Sequence, residues 1–380
     1  GTVLSFQTGY PFPSSGFNDK KDGMRLIRNR DLRSDDIVVF YSGEIDPSFV
    51  VQDGDVLVGM DGDFTPIVWE KGEALLNQRV GRILPQGSSD LRFLLYLLTL
   101  SLKKIEEKTA RTTVKHLSHS VVGNKDEPLP TLAEQRKIAD CLSSLDELIA
   151  AQARKVDALK THKKGLVQQL FPREGETQPC LRFPEFRHDG EWQERKAGSL
   201  FVSRTTKGED GLPIYSVTKN DGMVKRNSLD RKIDDIEEAI GNKKVLQNDI
   251  AYNMMRMWQG ALGVAPEDCL VSPAYVVLAP KKDTVPLFFQ YMFKQPEMLL
   301  LLTAHSRGLT KDRLRLYFDD FARMEFRCPN VKEQQRIAEF LASLDALINS
   351  TTQKLEALKT HKKGLMQQLF PSVGGVAGEA

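Results

Sequence analysis

Clusters of arginine, lysine and glutamine in the second half of the chain carry side chains that could recognise nucleic acid. Arginine and glutamine can form paired hydrogen bonds with base edges, while cations and hydroxyls contact phosphates. We predict base contacts from Arg256 and Gln259, and phosphate contacts from Arg307 and Lys311. For each residue the alternative is a surface ion pair or a solvated turn. The candidates in this half are Arg204, Lys207, Arg256, Gln259, Arg307, Lys311 and Arg313.

Sequence motifs for catalysis are not found. An amino-methyltransferase would carry an acidic residue or asparagine before Pro-Pro-aromatic, and the run from Asp46 to Phe49 lacks the second proline. There is no Walker A phosphate loop. The glycine-containing run 59–62 includes Asp61, which disfavours phosphate binding and indicates a turn instead. We therefore expect that the chain is not an enzyme by itself and has no cofactor of its own.

Length and composition indicate a reduced protein of several domains. A chain of 380 residues is too long for one compact core. Its net charge of +2 gives no global attraction to nucleic acid, so any DNA contact depends on local clusters or on partner subunits. The four cysteines have no C-x-x-C spacing, which predicts neither zinc nor disulfides and favours the cytoplasm. The apolar run 91–102 contains Arg92 and is too short to span a bilayer.

An internal repeat is the main signal in the sequence. Residues 134–172 and 333–371 are identical at 25 of 39 positions, at an offset of 199. Each copy follows a proline and a capping pattern, Thr131 with Glu134 and Asn330 with Glu333, and ends at Phe-Pro. Each copy is therefore predicted to form one long helix, about 60 Å in length at 1.5 Å per residue.

Apolar residues within each repeat are spaced four and three residues apart, which indicates a coiled coil. We expect the two helices to pair antiparallel, because a whole domain lies between them. The polar positions Gln152, Thr351, Lys163 and Lys362 would fix the register, or the lysines would instead extend to solvent. The predicted seam comprises Ile138, Leu142, Leu145, Ile149, Val156, Leu159, Leu166, Leu170, Ile337, Leu341, Leu344, Ile348, Leu355, Leu358, Leu365 and Leu369.

A fainter repeat at an offset of about 195 relates the regions between the helices. Residues 54–58 match 248–252, and residues 83–85 match 278–280. Short apolar runs between turn residues indicate strands, so each region is predicted to be a small α+β domain. By this correspondence, the binding candidates of the first domain are Arg28, Arg30, Asn77, Gln78, Arg79, Arg111 and Lys115.

The predicted fold class is α+β, with two α/β domains separated by two long helices in an antiparallel coiled coil and related by a pseudo-two-fold. The predicted domains are residues 1–128 and 173–328, the long helices are 129–172 and 329–371, and residues 372–380 form a disordered tail. A DNA-binding protein with two diverged halves suits a DNA site with two different half-sequences. Lysines and histidines near both helix ends, at 160–164 and 359–363, suit the helix dipole or form a docking surface for a partner subunit.

The chain resembles the specificity subunit of Type I restriction-modification systems along nearly its whole length. The resemblance rests on the helix phrases at 130–146 and 329–345, the shared ending at 163–172 and 362–371, and the runs 9–15, 26–32, 252–260 and 271–275. The first domain departs from the pattern, since it has no counterpart of the leading stretch from Phe183 to Trp192.

This resemblance implies a non-catalytic subunit whose two domains each read half of a bipartite, asymmetric DNA site. The helices would act as a ruler and dock two methyltransferase subunits, which restriction subunits join. The complex would methylate adenine with S-adenosylmethionine, and would translocate and cut DNA with ATP and magnesium. One alternative, a restriction or methylation enzyme in its own right, lacks its motifs. A coiled-coil scaffold or decoy subunit without DNA reading remains open; it predicts DNA binding that is absent or insensitive to salt.

Overall fold

The computed structural model describes residues 3–108, 117, 129–228, 241–310 and 313–370. Contacts divide the chain into two compact units. Unit 1 contains residues 1–153 and 354–380, and unit 2 contains residues 154–353. The tail predicted at 372–380 lies outside the described residues.

Two sheets form the β part of unit 1. Its elements are β1 Leu4–Thr8, β2 Phe17–Asn18, β3 Met24–Ile27, β4 Val39–Tyr41, β5 Val50–Val51, β6 Val56–Gly59, β7 Ile67–Val68, β8 Ala74–Leu76, β9 Val80–Pro85, α1 Leu91–Lys108 and α2 Leu132–Leu170. One sheet has the order β1-β9-β6-β7 and is antiparallel, and the other has the order β2-β4-β3-β8-β5. Strand β6 is buried at every position because helix α1 packs on one of its faces and the second sheet packs on the other.

Helix α1 covers the first sheet of unit 1. The Asp90 side chain accepts hydrogen bonds from the backbone N–H groups of Arg92 (3.0 Å) and Phe93 (3.1 Å), which caps the helix start. The apolar face of α1 buries Phe93 and Leu94 against the sheet and against Ile138 of α2.

Unit 2 repeats the four-stranded sheet of unit 1. Its elements are β10 Gln193–Lys196, α3 Ala197–Leu200, β11 Phe201–Ser203, β12 Tyr215–Thr218, β13 Gly222–Lys225, β14 Lys243–Val245, β15 Ile250–Asn253, β16 Leu262–Val264, β17 Cys269–Val271, β18 Tyr275–Pro280, α4 Pro286–Met292, α5 Pro296–Ala304, α6 Phe318–Ala322, β19 Glu325–Cys328 and α7 Val331–Leu369. Helix α2 extends into unit 2 from residue 154, and α7 extends into unit 1 from residue 354. The order β11-β18-β15-β16 is the order of β1-β9-β6-β7 with corresponding strands. The predicted correspondence of 54–58 with 248–252 and of 83–85 with 278–280 is therefore present in the strands.

One tight turn shows how the repeat was kept while the sequence changed. Gly54 and Asn248 hold the equivalent position before β6 and β15, with φ of +96° and +70°. Glycine and asparagine tolerate this left-handed conformation better than other residues. The next residue closes the turn in both units. Asp55 Oδ2 accepts from the N–H of Gln52 at 3.0 Å, and Asp249 Oδ2 from that of Leu246 at 2.9 Å.

The core of unit 2 is rich in phenylalanine. The rings of Phe201, Phe289, Phe293 and Phe321 are fully buried, and neighbouring centroids lie 5.2–6.2 Å apart. Such edge-to-face and tilted ring pairs stabilise a core beyond the area that they bury. This cluster packs with strand residues such as Tyr252 and with residues of both long helices, such as Leu170 and Ile337.

Helices α2 and α7 begin and end where their caps and prolines predict. Thr131 Oγ1 accepts from the Glu134 N–H at 3.4 Å, and Asn330 Oδ1 accepts from the Glu333 N–H at 3.0 Å. Both helices stop before the Phe-Pro pair. All sixteen residues of the predicted seam are buried or half-buried.

Antiparallel pairing is visible within each unit. In unit 1, Ile138 near the start of α2 shares a core with Met366 near the end of α7. In unit 2, Leu170 at the end of α2 shares a core with Ile337 near the start of α7. The predicted fold class, with sheet-rich domains and two long helices, is confirmed.

Candidate nucleic-acid interface

In unit 2, backbone hydrogen bonds bring two of the predicted clusters side by side. The Leu316 N–H donates to Met254 O at 2.9 Å, which joins the turn after β15 to the segment that contains Leu316. The N–H groups of Arg307 and Arg315 donate to each other's carbonyl oxygens at 2.9 and 2.8 Å, which links Arg307 to the same segment. The clusters around Arg256 and Arg307, separate in sequence, therefore belong to one surface.

Arg256 is one of the cations on this surface. It is exposed, and no ion pair or side-chain hydrogen bond engages it among the described residues. It precedes a 3-10 turn, Met257–Gln259, which ends at Gly260 with φ +81°. Met257 is fully buried in the core, so the turn is anchored directly beside the exposed arginine. Gln259 at the end of the turn is half-buried.

Arg307 is exposed but already paired. Its Nη2 donates to Asp320 Oδ1 at 2.6 Å, and this hydrogen bond raises the pKa of the guanidinium. The side chain of Arg307 remains 64% exposed, so a phosphate could approach it from solvent. Arg313, two residues before Arg315, is exposed, whereas Lys311 lies outside the described residues.

Two other predicted arginines hold the fold. Arg204 Nε donates to Asp249 Oδ2 at 2.6 Å; Arg204 is 25% exposed and Asp249 only 2%. The hydrogen bond to Asp249 raises the pKa of Arg204. Arg28 of unit 1 makes a similar two-pronged pair with Asp31, with both distances at 2.9 Å. Lys207, by contrast, is exposed.

In unit 1, the predicted residues gather at the turn equivalent to that of Arg256. The Leu117 N–H donates to Met60 O at 2.8 Å, the counterpart of the bond between Leu316 and Met254. Gln78 and Arg79 are exposed here, and Arg79 has φ +72°. Arg79 Nη1 lies 3.4 Å from Asp61 Oδ1.

The remaining predicted residues of unit 1 divide between surface and core. Arg30 is exposed and lines a cleft of about 600 Å³ with Asp61 and Asp63. Asn77 is buried, and its Oδ1 has no hydrogen-bond partner among the described residues. Arg111 and Lys115 lie outside the described residues.

Comparison with known proteins assigns the family. A family model described as the Type I restriction modification DNA specificity domain matches the chain twice, at residues 3–161 and 190–360. Together the two matches cover most of the 380 residues. The chain belongs to the Type I restriction-modification specificity-subunit family. Members of this family are non-catalytic, in agreement with the missing enzyme motifs.

Relatives and solved structures extend over nearly the full chain. The EcoBI specificity subunit of Escherichia coli is 29% identical across 97% of this chain and 83% of its own length. The MjaVIII specificity subunit of Methanocaldococcus jannaschii is 22% identical across 84% and 79%. The S subunit from M. genitalium superposes with a TM-score of 0.60 at 15% identity, covering 98% of this chain and 94% of that one.

A second solved structure supports the same fold. This structure comes from work on the complex assembly and conformational transition of the type I R-M system. It superposes with a TM-score of 0.52 at 16% identity. The overlap covers 97% of this chain and 98% of that chain. At such identities the likeness shows the fold of a specificity subunit.

The aspartates that pair with the arginines of this specificity subunit were not predicted from the sequence. Asp61, Asp249 and Asp320 decide which cations are exposed and unpaired and which are held by the fold. Their sequence separation from the arginines gave no local signal. The pair of Arg28 and Asp31 is the exception, because it spans only three residues and could have been found.

The specificity subunit offers no metal centre in the parts that the structure describes, where no group of three potential ligands occurs. Across the same ranges, no helix combines the length and hydropathy that crossing a membrane requires.

Proposed function

We propose that this specificity subunit reads a bipartite, asymmetric DNA site, with one half-sequence for each unit. The observation that carries the proposal is a surface feature that occurs once in each unit. In both, the turn that follows β6 or β15 is joined to a later segment of the chain by a backbone hydrogen bond. This joint occurs at Met60 with Leu117 and at Met254 with Leu316. Two units that recognise different DNA sequences need the same backbone structure with different side chains on its surface.

The side chains on this surface differ in charge. At the equivalent turn, unit 1 carries Asp61 and Gly62 where unit 2 carries Met255 and Arg256. An arginine can form paired hydrogen bonds with guanine, and an aspartate can accept from the amino group of cytosine. The two units are therefore suited to different half-sites, with Arg256 as the strongest candidate for a base contact.

The long helices are suited to two roles in the proposal: they set the spacing of the half-sites and dock methyltransferase subunits. Leu148 and Leu347 occupy equivalent positions in α2 and α7 and are 48% and 43% exposed. His162 and His361, also equivalent, are exposed as well. Two matching apolar surfaces favour two copies of one partner.

The complete complex would contain two methyltransferase subunits and restriction subunits. In the proposal these partners, and not this chain, use S-adenosylmethionine to methylate adenine, and ATP and magnesium to move and cut DNA. The specificity subunit contributes double-stranded DNA recognition and assembly.

Salt dependence separates this proposal from a scaffold or decoy without DNA reading. The chain is assembled with the methyltransferase of its system, and its affinity for DNA is measured between 50 and 200 mM salt. A reader that contacts about six to ten phosphates loses roughly 10³–10⁵ in affinity over that range. Absent or salt-insensitive binding would favour the scaffold.

A further inference from the structure

A lysine, an aspartate and a tyrosine from three different helices meet in unit 1. Lys362 Nζ of α7 lies 2.5 Å from Asp146 Oδ1 of α2. The hydroxyl of Tyr96, on α1, donates to Asp146 Oδ2 at 2.8 Å. The ammonium of Lys362 also lies 5.2 Å from the centroid of the Tyr96 ring, within cation–π distance.

Unit 2 contains the same three residue types with the roles of the long helices exchanged. Lys163 Nζ of α2 lies 2.5 Å from Asp345 Oδ1 of α7. The hydroxyl of Tyr291, on α4, donates to Asp345 Oδ2 at 2.7 Å, and Lys163 lies 4.9 Å from its ring centroid. We call these two groups the clamps.

Each clamp engages both oxygens of its carboxylate in a half-buried setting. Lys362 and Lys163 are 23% and 19% exposed. Burial, together with the neighbouring carboxylate, raises the pKa of Tyr96 to about 12, so its hydroxyl stays protonated as a donor. The same causes raise the pKa of Tyr291.

Both clamps specify one register of the helix pair. In an antiparallel pair, the numbers of facing residues have a constant sum. For Lys362 with Asp146 and for Lys163 with Asp345 that sum is 508. The two clamps therefore act in the same register.

A slip of one heptad would break both clamps at once. It would move Lys362 from Asp146 to Ala139 or Ala153, since these lie seven residues to either side. The equivalent slip would move Lys163 from Asp345 to Ala338 or Thr352. Apolar heptads alone fit several registers, and a polar group at one position selects among them. Fixing the register is also the best-attested use of a buried ion pair.

We propose that Lys163 and Lys362, with their aspartate and tyrosine partners, are positioning residues that determine the gap between the two DNA half-sites. The inference rests on the proposed function, in which the helices set that gap. A slip of one heptad displaces a helix by about 10.5 Å at 1.5 Å per residue. That displacement corresponds to about three base pairs at 3.4 Å each.

The test maps adenine methylation by the chain assembled with its methyltransferase. The wild-type chain gives one gap length. Lys163→Met combined with Lys362→Met keeps side-chain length but removes both cations, and it is expected to add gap lengths displaced by about three base pairs, with unchanged half-site sequences. The matched control replaces the neighbouring exposed lysines, Lys164→Met with Lys363→Met, and keeps one gap. A single wild-type gap in the assembled double variant would overturn the proposal.

If the methionine variant does not assemble, the pair Lys163→Arg with Lys362→Arg replaces it. This variant keeps the cations and is expected to restore assembly with one gap length. If it does not, the proposed role of the clamps in setting the gap is contradicted. If the wild-type chain shows no bipartite methylation, the proposed function fails instead. The clamps are then tested by unfolding Lys362→Met, Asp146→Asn and their combination: non-additive shifts in midpoint support the pairing, and additive shifts contradict it.

Discussion

Arg204 and Arg28 hold their guanidinium groups against Asp249 and Asp31, while Arg256 is exposed and without a partner among the described residues. Arg204 and Arg28 already use the Nε and Nη2 donors on their carboxylates, whereas Arg256 keeps all of its side-chain donors available for DNA. At the residue scale, the position of the acidic partners therefore separates structural arginines from candidates for recognition.

Replacement of Arg256 tests recognition by unit 2. Arg256→Ala in the assembled complex is expected to weaken DNA binding by about 1–3 kcal/mol and to relax preference at one half-site only. The measurement is competition binding with DNAs altered in either half-site. Arg187→Ala, which also removes an exposed arginine of unit 2, serves as the control. Unchanged affinity and sequence preference in Arg256→Ala would contradict the assignment of Arg256 to the DNA interface.

Replacement of Arg204 is expected to affect stability instead. Arg204→Ala leaves the carboxylate of Asp249, only 2% exposed, without its cation. Breaking a fully buried pair costs about 3–5 kcal/mol, and because Arg204 is 25% exposed we expect roughly 2–3 kcal/mol. Equilibrium unfolding measures this loss. A variant with wild-type stability and weakened DNA binding would instead return Arg204 to the recognition surface.

At the scale of elements, the long helices were predicted most completely. Capping residues, an unbroken heptad pattern and the closing Phe-Pro pair are all local signals, and α2 and α7 begin and end accordingly. Equivalent strands were also located, because turns such as Gly54 and Asn248 recur at a constant offset. The pairing of Arg204 with Asp249 was not predictable, because 45 residues separate them and only the fold brings them together.

The exposed leucines of the helices provide a test of docking. Leu148→Glu combined with Leu347→Glu places charges on two surfaces that are already half-exposed, so the isolated chain is expected to remain folded. Binding of the methyltransferase is expected to fall at least tenfold, since a charge in the apolar centre of an interface is disfavoured. Titration of labelled methyltransferase measures this change.

The control for docking is Gln168→Glu with Gln367→Glu, which adds the same charges at exposed positions of the same helices. Equal binding by the leucine variant and the control would place the docking surface elsewhere. A chain unfolded by the leucine changes would show that these side chains belong to the core.

At the scale of the whole molecule, a duplicated unit has kept its scaffold and changed its surface. The strand order of the four-stranded sheet is the same in both units, and the clamps repeat with the helices exchanged. The side chains at the equivalent turns have diverged, from Asp61 and Gly62 to Met255 and Arg256. Conserved scaffolding with diverged surfaces is expected of a subunit that reads two different sequences at one fixed spacing.

Adenine methylation mapping tests this account most directly. DNA from cells that express the chain with its methyltransferase is sequenced for methylated adenine. We predict one bipartite motif, two different short half-sites around a gap of constant length. A palindromic motif would contradict the assignment of one half-site to each unit. No new methylation despite a stable complex would contradict DNA reading itself.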